Sequence, residues 1–269
     1  MEISLLIRNQ LMSLSRPRVM AIINFSPDSF YTSCDVSREA DILSHVEEAL
    51  RSGADILDLG ACSTRPGSTP VDAATEWQLL SEGLEMIRCH WHDVPISVDT
   101  FRPEIAERAI AIGADMINDV SGANADPRMW ELAAKRHVPY VLTHAQSVVE
   151  PVMVDIMHFL EQYMDKLHRL GVADVVVDPG FGFGKTVEQN YALLRQLDVL
   201  QALHAPVLVG ISRKSMLYKP LETTPDDVLA ATVAANTLAL ERGAHILRVH
   251  DVAAAHQAIQ IHQLTHPCP

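Results

Sequence analysis

The polar residues with the most chemistry to offer stand at the ends of short apolar runs. Asn24 falls in VMAIINF (19–25), Asp58 in DILDLG (55–60), Asp99 in PISVDT (95–100), and Asn118 and Asp119 in DMINDV (115–120). His144 closes PYVLTH (139–144) and Asp178 lies in VVVDPG (175–180). PVLVGIS (206–212) leads into Ser212-Arg213-Lys214, and HILRVH (245–250) carries Arg248 and His250. No Gly-x-Ser-x-Gly elbow or His-Glu-x-x-His pair accompanies them, so a hydrolase or a tightly held metal is not indicated. Asp, Asn and Lys suit a flat, nitrogen-rich heterocycle instead. A carboxylate accepts two parallel N–H bonds from an aminopyrimidinone edge, as it does from a guanidinium. An Asn amide supplies a donor and an acceptor together, and Lys214 can donate to a ring nitrogen or carbonyl. Arg65, Arg248 and His250 could meet an anion. Asn24 could give one oxygen to Mg²⁺, which keeps most of its waters. Side chains alternate along a strand, so Arg248 and His250 share a face and Asn118 sides with Met116, while Asp119 points the other way. Asp119 and Asp251 are readable as turn or capping residues.

The stretch VVVDPGFGFGKTVEQN (175–190) invites a nucleotide-binding reading, which its spacing refuses. A Walker A loop would need Gly where Pro179 stands, and Gly180, Gly182 and Gly184 are spaced Gly-x-Gly-x-Gly rather than Gly-x-Gly-x-x-Gly. The glycines instead let the backbone approach a flat ring closely. Phe183 could cover the ring's face. Lys185 is expected to be a solvated or helix-entry lysine.

These residues need a scaffold that gathers strand ends. Eight apolar runs, each followed by a helical pattern, fill about 250 residues, as in a TIM (β/α)8 barrel. A doubly wound sheet shares the alternation, but the unit count and near-continuous apolar strands favour the barrel. The repeated Gly-Ala-Asp (53–55, 113–115) marks the bottom turn of an α/β unit. Residues 1–18 precede the first strand and are expected to cover the barrel bottom, with the barrel over 19–265. The chain of 269 residues is 48% hydrophobic and carries a formal net charge of −13. It has no long basic run, so a nucleic-acid partner is not expected. Cys34, Cys62, Cys89 and Cys268 are scattered. With no signal-peptide pattern and no membrane-length apolar run, they suggest reduced thiols in a cytoplasmic protein.

Seven blocks in order carry a resemblance: INFSPDSF (23–30), DLGACSTRPG (58–67), ISVDTFRPEIAERAI (96–110), INDVSG (117–122), VVVDPGFGFGKT (175–186), VLVGISRKS (207–215) and ILRVHDV (246–252). Over almost its whole length the chain resembles the dihydropteroate synthase family. The resemblance implies joining of 6-hydroxymethyl-7,8-dihydropterin pyrophosphate to p-aminobenzoate, with release of pyrophosphate. Asp58, Asp99, Asn118, Asp178, Phe183 and Lys214 would line the pterin site. Asn24 would help bind Mg²⁺ on the pyrophosphate, and Arg65, Arg248 and His250 would meet the phosphates. Ser26, Pro27, Phe30, Thr64, Arg65 and Pro66, with Phe183, Lys214 and Ser215, would form the p-aminobenzoate pocket. The resemblance implies a dissociative reaction through a pterin cation, with Asp99, Asp178, Lys214 and Arg248 as the catalytic set. It also implies sulfonamide sensitivity and a homodimer, for which the apolar segment PDDVLAATVAANTLALERG (225–243), expected as one helix, is the candidate interface. Two stretches depart from the family pattern: SPDSFYTSCDVSRE lacks the usual glycine, and VLTHAQ has Thr143 and Ala145 where methionine usually flanks the His. A pterin-binding methyltransferase would need no pyrophosphate clamp, and STRPG with SRKS speaks against it. A non-catalytic pterin-binding protein could lack Arg65, Lys214 or Asn24, all of which are present.

Overall fold

The computed structural model describes residues 3–25, 35–61 and 71–266. An antiparallel hairpin of β1 (Ser4–Ile7) and β2 (Gln10–Ser13) comes first. Eight strands follow: β3 (Arg18–Asn24), β4 (Ile56–Gly60), β5 (Ile96–Asp99), β6 (Met116–Asp119), β7 (Tyr140–Thr143), β8 (Val175–Asp178), β9 (Leu208–Val209) and β10 (Ile246–Val249). They are parallel, in the order β8-β7-β6-β5-β4-β3-β10-β9. The two ends of that series meet through a parallel bridge between Val177 and Val207, where the Val177 amide donates to Pro206 O at 2.8 Å. The ring is a (β/α)8 barrel, as the count of eight units and the near-continuous apolar strands predict.

Each strand divides its residues between two cores, because successive side chains point to opposite faces. Val19, Ala21, Ile23, Ile96, Val98, Ile117, Leu142, Val175 and Val177 pack outward with the helices. Met20, Ile56, Met116, Val141, Val176, Leu208 and Ile246 pack together inside the barrel, and Leu5, Ile7 and Leu14 of the hairpin region join them. The hairpin therefore plugs the end where the strands begin. The Gly-Ala-Asp turns stand at that end. Asp55 accepts from the Val19 amide at 2.9 Å and pairs with Arg16 and Arg18, and Asp115 accepts from the Ile96 amide at 2.9 Å. These carboxylates satisfy the amides that begin strands and do no chemistry at the opposite mouth.

Three of the helices between strands start on side-chain caps that supply acceptors for the first unpaired amides, Asp126 among them. Asp72 caps Ala73–His90 through Ala74 N and Thr75 N at 2.9 and 3.0 Å. Thr186 and Gln189 form a reciprocal capping box at the start of Val187–Arg195. The segment expected as one helix over 225–243 is a short 3-10 turn, Pro225–Asp227, followed by the helix Leu229–Leu240. Among the described residues, no helix is long and apolar enough to cross a membrane.

Candidate active site

Above the apolar plug the inner face turns polar. The strand period carries Met20 to Asn24, Ile56 to Asp58, Met116 to Asn118, Val176 to Asp178 and Ile246 to Arg248 and His250. Asp58, Asp99, Asn118 and Asp178 are all buried. Asp58, Asp99 and Asn118 form one network with Arg248, which donates from Nε to Asp58 Oδ2 at 2.6 Å and from Nη2 to Asp99 Oδ2 at 2.5 Å. Asn118 Nδ2 donates to the same Asp58 oxygen at 3.0 Å. Asp178 accepts from the Gly180 amide at 2.7 Å, and Lys214 Nζ donates to Phe181 O at 2.5 Å.

Three buried polar atoms of this inner face have no partner among the described residues: Asp58 Oδ1, Ser97 Oγ and Thr143 Oγ1. An orphaned buried polar atom costs about 1–3 kcal/mol, so a cluster of them marks a place where a polar ligand returns what folding removed. The electrostatics agree. Burial raises Asp99 to about 7, with Arg248 pulling it down and Asp58 pushing it further up. Burial also raises Asp178, against Lys214 and the Gly180 amide. Burial lowers Lys214 to about 8 while Asp178 opposes it. Burial works against the charge of Arg248 too, but Asp58 and Asp99 outweigh it and hold the guanidinium firmly charged. Carboxylates and a lysine whose charges are held so loosely respond to a ligand's own charge and N–H groups.

Phe183 is half-buried, and the Lys214 ammonium stands 4.7 Å from its ring centroid. The chain reverses sharply at Arg213, which takes a left-handed φ of 57° and is held there by Asp251 at 2.7 and 3.1 Å and by Asp226 at 3.0 Å. That turn aims Lys214 at the mouth, so the role of Asp251 is structural, as its position suggests. Asp119 also points outward as expected, accepting from Tyr140 OH at 2.8 Å. Ser215 begins a single helical turn, Ser215–Tyr218. His250 Nδ1 lies 3.0 Å from Ser212 Oγ, which also accepts from the His250 amide at 3.2 Å.

Two expectations are corrected. His144 does not join the mouth. It is fully buried on the outer face of its strand, edge-on to Phe159 with ring centroids 4.9 Å apart, and the inner-face residue of β7 is Thr143. Lys185 is not solvated. Its ammonium lies within 3.1 Å of four acceptors: His144 Nδ1, His144 O, Gly180 O and Phe183 O. Burial lowers Lys185 to about 7, with Asp178 opposing, and lowers His144 to about 4, with Lys185 adding to the shift. Ser97 and Thr143 were legible from alternation with Asp99 and Val141, whereas Ser212 lies beside His250 only through the fold. Ser26, Pro27, Phe30, Thr64, Arg65 and Pro66 lie outside the described residues.

Asn24 is half-buried on the inner face where β3 ends, in register with Gly60. A neutral oxygen donor there suits Mg²⁺ already carried by phosphate and water. Glu241, His262 and His266 also bring three donor atoms within 4.8 Å of one another, but on the outer helices, and their imidazoles suit softer cations.

A polar ring of buried carboxylates, an amide and two cations at the C-terminal mouth of a barrel defines a barrel enzyme that binds a small, nitrogen-rich ring. Residues 20–250 match the model of the pterin binding enzyme family. The chain belongs to that family, within its dihydropteroate synthase branch, and is an enzyme of the transferase class. It is 34% identical over 265 residues to the dihydropteroate synthase of Escherichia coli K12, covering 94% of this chain and 93% of that one. Among solved structures, the Xanthomonas albilineans dihydropteroate synthase with 4-aminobenzoic acid is 36% identical over the whole of both chains, with a TM-score of 0.93. The dihydropteroate synthase of Thermus thermophilus in complex with 6HMPPP is 38% identical, covering 97% of this chain and 99% of that one, with a TM-score of 0.85.

Proposed function

We propose that this chain condenses 6-hydroxymethyl-7,8-dihydropterin pyrophosphate with p-aminobenzoate, forming 7,8-dihydropteroate and pyrophosphate in folate biosynthesis. The observation that carries the reading is the inner-face network. Asp58, Asp99, Asn118 and Asp178 are buried beside Arg248 and Lys214, and Asp58 Oδ1, Ser97 Oγ and Thr143 Oγ1 lack partners among the described residues. Asp178 accepts N–H groups of the pterin's amino edge, Asn118 meets the adjoining donor and acceptor, and Lys214 donates to the ring. Phe183 covers one face. Arg248 has five N–H donors in a fixed fork and the carboxylates use two of them, so the others remain for a phosphate oxygen. Arg65 and His250 join it, and Ser212 fixes the ring of His250.

The reaction is dissociative on this reading. The C–O bond to pyrophosphate breaks first, the pair leaves with oxygen, and the resonance-stabilised pterin cation is attacked at its exocyclic carbon by the aniline nitrogen, which then releases one proton to solvent. Asp99 and Asp178 favour the cation, and Arg248 and His250 stabilise the departing charge. When bound through Asn24, Mg²⁺ supplies further neutralisation of the pyrophosphate. The amides opening Ser215–Tyr218 favour the aminobenzoate carboxylate; with one turn, the local N–H groups rather than a long macrodipole do this. Ser26, Pro27, Phe30, Thr64 and Pro66 complete that pocket, where a sulfonamide would compete. We place the enzyme in the cytoplasm, in keeping with Cys89 as a free, exposed thiol.

The direct experiment mixes protein, Mg²⁺, dihydropterin pyrophosphate and p-aminobenzoate and looks for dihydropteroate. Product that disappears in Asp178→Ala supports the reading; bound pterin without product makes the chain a binding protein.

A homodimer is part of the same proposal. The helix Leu229–Leu240 buries one stripe through Thr232, Ala235, Asn236, Ala239 and Leu240, yet it leaves Leu238 about half exposed on its other side. The neighbouring terminal helix, Val252–Thr265, exposes Ile261 and Leu264. Such an apolar surface is suited to a second copy of the chain.

A further inference from the structure

The pterin reading leaves Lys185 without work, although it is among the most thoroughly engaged lysines in the structure. Its Nζ lies 2.9 Å from Gly180 O, 3.1 Å from Phe183 O, and 3.0 Å from both His144 O and His144 Nδ1. An ammonium has three protons and no acceptor, so these four acceptors consume its full capacity, with one proton shared. The arrangement also selects the imidazole tautomer. Nδ1 presents its lone pair to the ammonium, and Nε2 carries the hydrogen, facing Asp155 Oδ2 at 3.6 Å.

The acceptors come from the segments that leave two paired strands, whose ladder ends where the His144 amide donates to Asp178 O at 2.9 Å. Gly180 and Phe183 belong to the loop after β8, and His144 opens the segment after β7. Two close approaches accompany the tie. A Cβ at Gly180 would fall 1.9 Å from His144 O, and one at Gly184 would fall 2.5 Å from Gln146 C and Ser147 N. Buried Asn190 braces the loop from behind, accepting from the Gly182 amide at 2.7 Å and donating to Thr186 O at 2.7 Å. Three elements of the proposed pocket hang on this frame. Asp178 is oriented by the Gly180 amide, Lys214 is anchored on Phe181 O, and Phe183 is carried by the loop itself.

We propose that Lys185 is a positioning residue of the pterin pocket: its ammonium ties the loop after β8 to the segment after β7 and so sets where Asp178, Phe183 and Lys214 stand. It touches neither substrate nor reacting atoms. The proposal rests on the functional reading above, and the test separates the two. Lys185→Met keeps the length of the side chain and removes the donors, leaving carbonyl oxygens converging on a methyl group.

Two measurements are needed. Hydrogen exchange on the ligand-free protein reads the tie alone; residues 144–147 and 178–186 should exchange about tenfold faster or more in the variant, with the rest of the barrel unchanged. Calorimetric titration with a pterin reads the consequence; affinity should fall about tenfold in Lys185→Met and by a clearly smaller factor when the substitution is made on top of Asp178→Asn, because the part of its effect that runs through Asp178 is already gone. Unchanged exchange, unchanged affinity, or the same loss in both backgrounds overturns the proposal. A wild-type protein that binds no pterin would overturn the functional reading, and the exchange measurement would still decide the tie. If Lys185→Met does not fold, Lys185→Gln, which keeps an amide donor, takes its place with smaller effects expected in the same two segments.

Discussion

Asp178 is oriented before any ligand arrives, since one of its oxygens already holds the Gly180 amide. Asp178→Asn preserves shape but sets an NH₂ donor against the pterin's own donors. A charge-assisted hydrogen bond is worth about 1.5–3 kcal/mol, so pterin affinity should fall roughly 10- to 150-fold in a titration, while the fold persists. On the proposed function, Asp99 and Lys214 set the pH range. Asp99 is raised by burial to about 7 and must be ionised to accept pterin N–H groups, so kcat/KM should rise as pH climbs through that value. Lys214, lowered by burial to about 8, loses a proton above it, so kcat/KM should fall on the alkaline side. The signs are opposite because the acid must lose its proton and the ammonium must keep its own. Asp99→Asn should remove the acid limb; a limb that survives would assign it to another group. Much of this set was legible in the sequence, because Asp58, Asp99, Asn118 and Asp178 each fall on the inward phase of a strand. His144 shows the limit: reading its strand by its last polar residue named the wrong face, and Thr143 is the inner-face residue.

At the scale of the element, the loop after β8 decides how the site is held. Gly180 takes φ +73°, and its missing Cβ makes room for His144 O. Gly180→Ala meets backbone at 1.9 Å, and no side chain can yield there. A loss of about 2–4 kcal/mol in denaturant unfolding, together with lost pterin binding, is expected. Gly182→Ala meets Lys214 Cδ at 3.0 Å, the flexible stem of a side chain. It should cost about 1–2 kcal/mol for its left-handed backbone and act mainly on Lys214. Equal losses for the two variants would contradict this account. The glycine spacing was readable as a loop unlike either nucleotide motif, and the reason for each glycine was not. The atom that forbids a Cβ at Gly180, and half of the acceptors around Lys185, belong to His144, a residue far away in sequence.

At the scale of the whole molecule, the barrel separates stability from chemistry by its two ends. Leu5 is fully buried in the plug with Met20, Ile56 and Ile246. Leu5→Ala should cost about 2–5 kcal/mol of stability by leaving a cavity, with kcat/KM close to wild type below the melting transition. A loss of activity without a loss of stability would mean that the two ends are coupled. Leu238→Glu places a charge on the exposed apolar side of Leu229–Leu240. It should convert a dimer to a monomer in light scattering without lowering the melting temperature of the barrel. A wild type that is already monomeric at micromolar concentration would remove the dimer from the proposal.

Periodicity and local punctuation are properties of neighbouring residues, and they determined by themselves the eight strand–helix units, the inward phase of Asp58, Asn118 and Arg248, and the motif blocks of the family. Closure brought Arg248 onto Asp58 and Asp99 from positions 190 and 149 residues apart, and it set Ser212 on His250. It also made Lys185, at the entry of its helix, the tie between two loops. Those outcomes depend on which backbone oxygens and side chains meet across the mouth of the barrel. Distances of that kind are fixed by the tilt and packing of strands around a ring, and no local pattern in the chain encodes them.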